Sequence, residues 1–207
     1  MPKRIHLHLN EEYYHLYNRG NSKQLIFLDG QDYRVFQQYL YIMNMEKRIT
    51  SREVGDASYS YIRETELVHI GAYCLMPNHF HILLTQKSND GISKFMQKLS
   101  TAYVMYFNKK YKRTGSLFEG RFKSKYIDSD NYLKYLYSYT HLNPLKLFNS
   151  KWKENLKIGR AVNLKQVVEY PYSSIGYYLE NDFLENKIID ISSFPKYFPD
   201  KKKFLKE

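Results

Sequence analysis

A chain of 207 residues with 43% hydrophobic and 26% charged residues has the composition of one folded domain with extensions, not of a disordered segment. Its 32 Lys and Arg against 21 Asp and Glu leave a formal charge of +11, which points to a polyanionic partner, nucleic acid before a membrane surface. One cysteine, Cys74, excludes an intrachain disulfide and a cysteine-rich zinc cluster, and no apolar run reaches the ~18–20 residues of a membrane span. Met1-Pro2-Lys3-Arg4 leads into a polar stretch and not into a signal-peptide apolar core, so a cytoplasmic protein without a membrane partner is expected.

Residues 12–19 alternate and are rich in Tyr, which predicts a strand ending at the Gly20-Asn21-Ser22 turn. Asp29 is placed to cap a helix over about 31–47, with Tyr33, Phe36, Tyr39, Leu40 and Met43 on one face. Residues 48–64 are polar and read as a mobile loop. Two β-like runs, 67–76 and 79–85, are separated only by Pro77-Asn78, which predicts a hairpin. Asn89-Asp90 then caps a long helix to about 111, with Ile92, Phe95, Met96, Leu99, Tyr103 and Tyr106 as its apolar stripe. Residues 117–126 read as a strand. Asp128 or Ser129 caps a third helix that stops near Asn143, because Pro144 disfavours helix in the residue before it. Beyond Leu145 the pattern weakens, with one short helix at 174–179 and a charged, frayed tail at 200–207. Hairpin-joined strands separated by helices predict an α+β fold, an antiparallel sheet with helices packed on it.

His79-Phe80-His81 opens a predicted strand, so the two imidazoles share a face, about 6–7 Å apart, where they could hold one metal ion or simply meet solvent. His6-Leu7-His8 has the same spacing, but nothing nearby holds that backbone still. Cys74 is a further candidate ligand, although the alternation of its strand does not clearly bring it to the histidines. No Asp or Glu lies near the pair in sequence, which speaks against a zincin-type hydrolase. On the third helix Tyr139 and Asn143 are four apart and share a face with Tyr132 and Leu136, while His141 should point elsewhere. Taken by themselves, Tyr139 reads as core and Asn143 as a C-terminal cap. Lys109, Lys110, Lys112, Arg113, Arg121, Lys123 and Lys125 concentrate a net charge of +6 in 17 residues, against one acid, Glu119. Arg121, Lys123 and Lys125 alternate, with Phe118, Phe122 and Tyr126 interleaved, the pattern of a groove for single-stranded nucleic acid.

Four motifs follow one another: Tyr14-His15-Leu16-Tyr17-Asn18-Arg19-Gly20-Asn21, Met76-Pro77-Asn78-His79-Phe80-His81, Gly115-Ser116-Leu117-Phe118-Glu119-Gly120-Arg121-Phe122-Lys123-Ser124 and Tyr139-Thr140-His141-Leu142-Asn143-Pro144. With Pro171-Tyr172-Ser173-Ser174 after them, the chain from about residue 12 to 179 resembles the single-tyrosine HUH transposases, especially the REP-associated tyrosine transposase branch. The resemblance implies a ferredoxin-like, RRM-like sheet over residues 1–145 and a C-terminal extension over 146–207. It implies Tyr139 as nucleophile and His79, His81 and Asn143 as ligands of Mg²⁺ or Mn²⁺. It further implies cleavage and strand transfer of single-stranded DNA beside a hairpin through a 5′-phosphotyrosine, by a monomer or a homodimer. A non-catalytic RRM-like nucleic-acid-binding protein and a metal phosphodiesterase that uses water are the alternatives.

Overall fold

The computed structural model describes residues 8–9, 11–47, 56–157, 164–179 and 182–195. Strands β1 (Tyr13–Arg19), β2 (Val68–Met76), β3 (His79–Gln86) and β4 (Lys123–Tyr126) form one antiparallel sheet in the order β2-β3-β1-β4. Helices α1 (Gly30–Ile42) and α2 (Gly91–Lys110) are the crossovers on one face, and α3 (Asp130–Leu142) lies on the other, against β2 and β3. This βαββαβ order is the ferredoxin-like α+β architecture that the sequence predicts.

The period of each segment explains which layer it fills. Phe80, Ile82 and Leu84 point toward α1 and α2, where Phe36, Leu40, Phe95, Leu99 and Tyr103 complete the main core. Helix α1 opens on a capping box. The Asp29 side chain accepts from the Gln31 and Asp32 N–H groups, and Asp32 accepts from the backbone of Leu28 and Asp29. The helix was expected to run to about 47 but ends at Ile42. Asn44 instead turns inward to clamp the start of β2, its amide accepting from Leu67 N and Val68 N and donating to Val68 O.

Two other expected boundaries shift for local reasons. The strand expected over 117–126 is reduced to Lys123–Tyr126, with Phe118 keeping only a single bridge to Gly20. Between them Gly120 sits at φ 140°, a conformation closed to other residues, and its carbonyl accepts from the Asn18 side chain. In the segment read as a loop, Asp56–Ser60 is a turn of 3₁₀ helix; residues 48–55 and the tail 200–207 lie outside the described residues.

A bulge between Ile70 and Ala72 re-phases β2. Before it, Val68 and Ile70 join the main core; after it, Ala72 joins Leu83 beneath α3, and Tyr73 and Leu75 take over the core face. A side chain on Gly71 would collide with the Tyr137 hydroxyl at 2.5 Å and the Phe194 ring at 2.8 Å, so glycine is what lets α3 and the chain's later residues close over the strand. Past α3, helices α4 (Leu145–Phe148), α5 (Trp152–Lys157), α6 (Lys165–Val168) and α7 (Ile175–Tyr178) follow. Leu145, Trp152, Val167 and Ile175 make a separate small core against Tyr139 and Leu142. The outer edge of β2 is covered by this same region, through Leu75 N–H to Tyr172 O, Ser174 N–H to Tyr73 O and Asp190 N–H to Ile70 O.

Candidate active site

β3 opens immediately after the tight turn at Pro77-Asn78, so His79 and His81 take its first and third positions, on the face covered by α3. Their rings are 5.1 Å apart, centroid to centroid, and nearly perpendicular. Tyr139, near the end of α3, brings its ring to 5.6 Å from His81. Both histidines and Tyr139 line one cleft of about 620 Å³, together with Arg19, Lys123 and Lys146. Asn143 follows the last residue of α3 and is 0% exposed. Its amide makes no hydrogen bond to the helix backbone, so its side chain does not cap the helix. The amide is nonetheless close enough to favour the charged forms of His79 and Tyr139.

Burial, helped by Lys146 and Arg19, pushes the His79 pKa down to about 4. Burial drives His81 well below its ordinary range, with His15, His79, Lys146 and Lys153 adding to the effect. Both rings are therefore neutral at pH 7 and can present a lone pair. For His79 the neighbours select the nitrogen. Asn78 Nδ2 donates to Lys23 O, so Asn78 Oδ1 is the acceptor 2.6 Å from His79 Nδ1, and Nε2 carries the lone pair. His81 Nδ1 lies 2.8 Å from His15 Nε2, and the two rings stack at 4.9 Å. For His81 Nε2 to offer a lone pair, Nδ1 must hold the proton, and His15 is placed to accept it.

Two neutral imidazoles and a buried amide beside them suit a hard divalent cation in an open site, so the residues present fit the metal that the sequence motifs imply. Tyr139 is half-buried; burial raises its pKa while Asn143 lowers it, and the net effect is upward, which keeps the phenol neutral. The Lys153 ammonium lies 4.2 Å from the centre of the Tyr139 ring.

Other expectations are redistributed. Cys74 pairs directly with His81 across β2 and β3, because the bulge at Gly71 turns it to that face. Its thiol is fully buried and its pKa is pushed up by burial, so it stays protonated beside the site. His141 does leave the Tyr139 stripe, as expected, but it is 0% exposed and contacts Ser174. Among the basic residues, Lys123 lines the cleft, and Lys125 shares its face with His15 and lies 4.5 Å from the Tyr132 ring centre. Arg121 is exposed just before β4. Lys109, Lys110, Lys112 and Arg113 are not among the cleft residues. Lys110 is held by Asp29 and by the buried Asp32, both at 2.8 Å, and Arg113 donates to Gln24. Of the two N-terminal histidines, His6 lies outside the described residues and His8 bonds Ser124.

Sequence reasoning missed His15 as well as Lys146 and Lys153. His15 reaches His81 diagonally across the β1–β3 register, in which Tyr17 is the residue opposite His81. A second cluster, Glu66, His69 and Asp190, has its ligand atoms within 4.8 Å of one another at the far end of β2. Glu66 is already paired with Arg63 and Lys87, and His69 with Asp190, so its charges are matched internally.

A ferredoxin-like sheet with a His-x-His pair on an inner strand, faced by a tyrosine on the helix across it, defines the single-tyrosine HUH class of DNA-processing enzymes. Within that class the chain belongs to the IS200-like transposases, whose sequence pattern matches residues 34–143, more than half its length. It is a transposase, an enzyme that cuts and rejoins DNA. No curated protein matches the sequence. Among solved structures, that of a REP-associated tyrosine transposase bound to a REP hairpin has the same fold, at TM-score 0.53 and 14% identity over 95% of this chain and 98% of that one. A tRNA(His) guanylyltransferase from Saccharomyces cerevisiae aligns at TM-score 0.40 and 12% identity, over 98% of this chain and 86% of that one, too distant to bear on the argument. Among the described residues, no helix is long and apolar enough to cross a membrane.

Proposed function

We propose that this transposase belongs to the REP-associated branch and acts on single-stranded DNA beside a hairpin through a 5′-phosphotyrosine on Tyr139. The observation that carries the reading is the meeting of Tyr139 and two neutral histidines in one cationic cleft, with the buried amide of Asn143 against His79 and Tyr139. The Tyr139 oxygen attacks the scissile phosphorus as the bond to the 3′-oxygen breaks. The phenol proton is lost and the departing 3′-oxygen gains one, so the phosphodiester is conserved as a phosphotyrosyl bond. A different 3′-hydroxyl can reverse the step without an external energy source. His79, His81 and Asn143 would hold Mg²⁺ or Mn²⁺, which supplies polarisation of a non-bridging phosphate oxygen. Lys146, Lys153 and Lys123 stabilise the charge that builds on the phosphate and the phenolate oxygen. With α3 packed on the sheet of its own chain, the reading is of a site assembled in cis, in a monomer or a homodimer. Residues 1–145 would form the catalytic domain and 146–207 the extension that carries Lys146 and Lys153.

The test is a denaturing gel of labelled single-stranded hairpin DNA incubated with Mn²⁺ and either the parent protein or Tyr139→Phe. The parent is expected to give a covalent adduct, and Tyr139→Phe to lose it at least a thousandfold while still binding DNA. Free cleaved product from Tyr139→Phe at the parent's rate would instead identify a hydrolase that uses water. An adduct from Tyr139→Phe would move the nucleophile to another tyrosine.

A further inference from the structure

Along the outer flank of α3, Tyr132, Tyr135 and Tyr139 fall at i, i+3 and i+7, so their side chains stand in one row. The rings are nearly parallel. Tyr132 and Tyr135 are 6.2 Å apart at an interplanar angle of 15°, and Tyr135 and Tyr139 are 5.9 Å apart at 15°. The row spans about 10 Å of helix axis. It begins at the ring that faces His81 in the cleft and runs out onto the surface. A cation stands at each end: Lys153 lies 4.2 Å from the centre of the Tyr139 ring, and Lys125 4.5 Å from that of Tyr132. Lys125 belongs to the cationic β4 face, and the central ring, Tyr135, is 53% exposed.

We propose that Tyr132 and Tyr135 form a base-stacking subsite for single-stranded DNA, adjoining the scissile phosphate at Tyr139. The proposal rests on the reading of the cleft as a single-strand nuclease site, and it adds where the neighbouring nucleotides go. Parallel rings present a common orientation to successive bases, and every base has a face to stack, so such a platform tolerates sequence. The lysines at its ends match the phosphates that accompany those bases. A duplex, whose bases are already stacked and paired, gains nothing from the rings. Helix stabilisation by neighbouring aromatics would account for the pairs, but it gives no reason for a cation to stand at each end of the row.

The experiment measures binding of fluorescent dT20, and of a 20-base-pair duplex, by anisotropy without divalent metal. All variants are made in the Tyr139→Phe background, so that no chemistry intervenes. Tyr135→Ala is expected to weaken dT20 binding about tenfold, with duplex binding unchanged. The slope of log affinity against log salt is expected to stay constant, since no cation is removed. Tyr135→Phe should bind as the parent does, and Tyr132→Ala should repeat the loss more weakly. Unchanged dT20 binding by Tyr135→Ala would overturn the proposal, as would equal losses for single and double strands. An unaltered circular dichroism melt separates the loss from misfolding, because Tyr135 is mostly exposed. The adduct gel described above decides the nucleophile independently: Tyr139 could fail that test while the dT20 result stood, and the reverse.

Discussion

His15 is the residue whose part in the site is least visible from its own strand. It lies in β1 and is not among the residues lining the cleft, yet its Nε2 is 2.8 Å from Nδ1 of His81. Burial pushes its own pKa down to about 4, with Lys125 adding to the effect, so it is neutral at pH 7 and able to accept a proton bond. That bond fixes which nitrogen of His81 faces the cleft. Replacing His15 by Phe keeps a stacking ring but removes the acceptor. His15→Phe should lower the rate of adduct formation, or raise the Mn²⁺ concentration it requires, by about 10–100-fold. His15→Gln, whose amide oxygen can still accept, should recover part of the loss. Metal titrations of the cleavage reaction for both variants check this; identical curves for parent and His15→Phe would reduce His15 to a packing residue. The contrast with His79 and His81 shows what a sequence can carry. A His-x-His pair declares a shared face through the two-residue period of a strand. The partner of His81 depends on a cross-strand register that no local pattern specifies, so nothing in the Tyr14–Asn21 motif singles out His15.

Helix α3 carries the tyrosine, and what holds α3 in place comes from the chain beyond it. His141 Nδ1 lies 3.0 Å from the Tyr137 carbonyl, which can only accept, so Nδ1 bears the proton. Burial holds the His141 pKa near 3, the ring is neutral, and Nε2 must be an acceptor. The Ser174 hydroxyl, 2.7 Å away, donates to it, and the Ser174 oxygen in turn accepts from Tyr73 N–H at 2.9 Å. One hydroxyl thus ties the helix of Tyr139 to β2 and to the segment that edges the sheet. Ser174→Ala strands a buried imidazole nitrogen and a buried backbone N–H, and should cost about 2 kcal/mol of unfolding free energy in urea. A loss under about 0.5 kcal/mol would mean that packing alone holds α3. The element order, both long helices and the hairpin were legible, because stripes of period 3.6 and alternation of period 2 survive without knowledge of contacts. The bulge at Gly71 was not. It inserts one residue into an otherwise even β2, and only the collision of a side chain there with Tyr137 and Phe194 reveals why it is needed. Of the extension's short helices, α7 was legible at 174–179, while α4, α5 and α6 were hidden, since four to six residues carry too little periodicity to declare themselves.

Across the whole molecule the site leaves a signature in stability. Four histidines are neutral, His15, His81 and His141 buried and His79 half-buried, with pKa values pushed down by burial, to about 4 for His15 and His79, about 3 for His141, and well below the ordinary range for His81. In the unfolded chain each would titrate near ~6.5. Between pH 6.5 and about 4 the unfolded state therefore binds protons that the folded state refuses, and stability must fall as pH falls. Each such group contributes up to ~1.4 kcal/mol per pH unit in that window. Asp190 acts lower on the scale. Partial burial raises its pKa, but hydrogen bonds from Ser192 and His69 outweigh this and hold it near 2, so its contribution is kept above ~4 and lost only on further acidification. The net charge of +11 works in the same direction, because every added proton increases self-repulsion. Urea unfolding at pH 7.5 and pH 5.0 should differ by at least about 2 kcal/mol, far more than carboxylate titration alone would give over that range. At pH 7.5 saturating Mn²⁺ should raise the melting temperature of the parent, and the gain should shrink at pH 5.0, where protons compete for the same nitrogens. His141→Gln removes a depressed histidine away from the cleft, and should flatten the pH dependence without abolishing the metal-induced shift. Equal unfolding free energies at the two pH values would mean that the four imidazoles are solvated in the folded state, and the neutral pair of His79 and His81 that the proposed metal site requires would not exist.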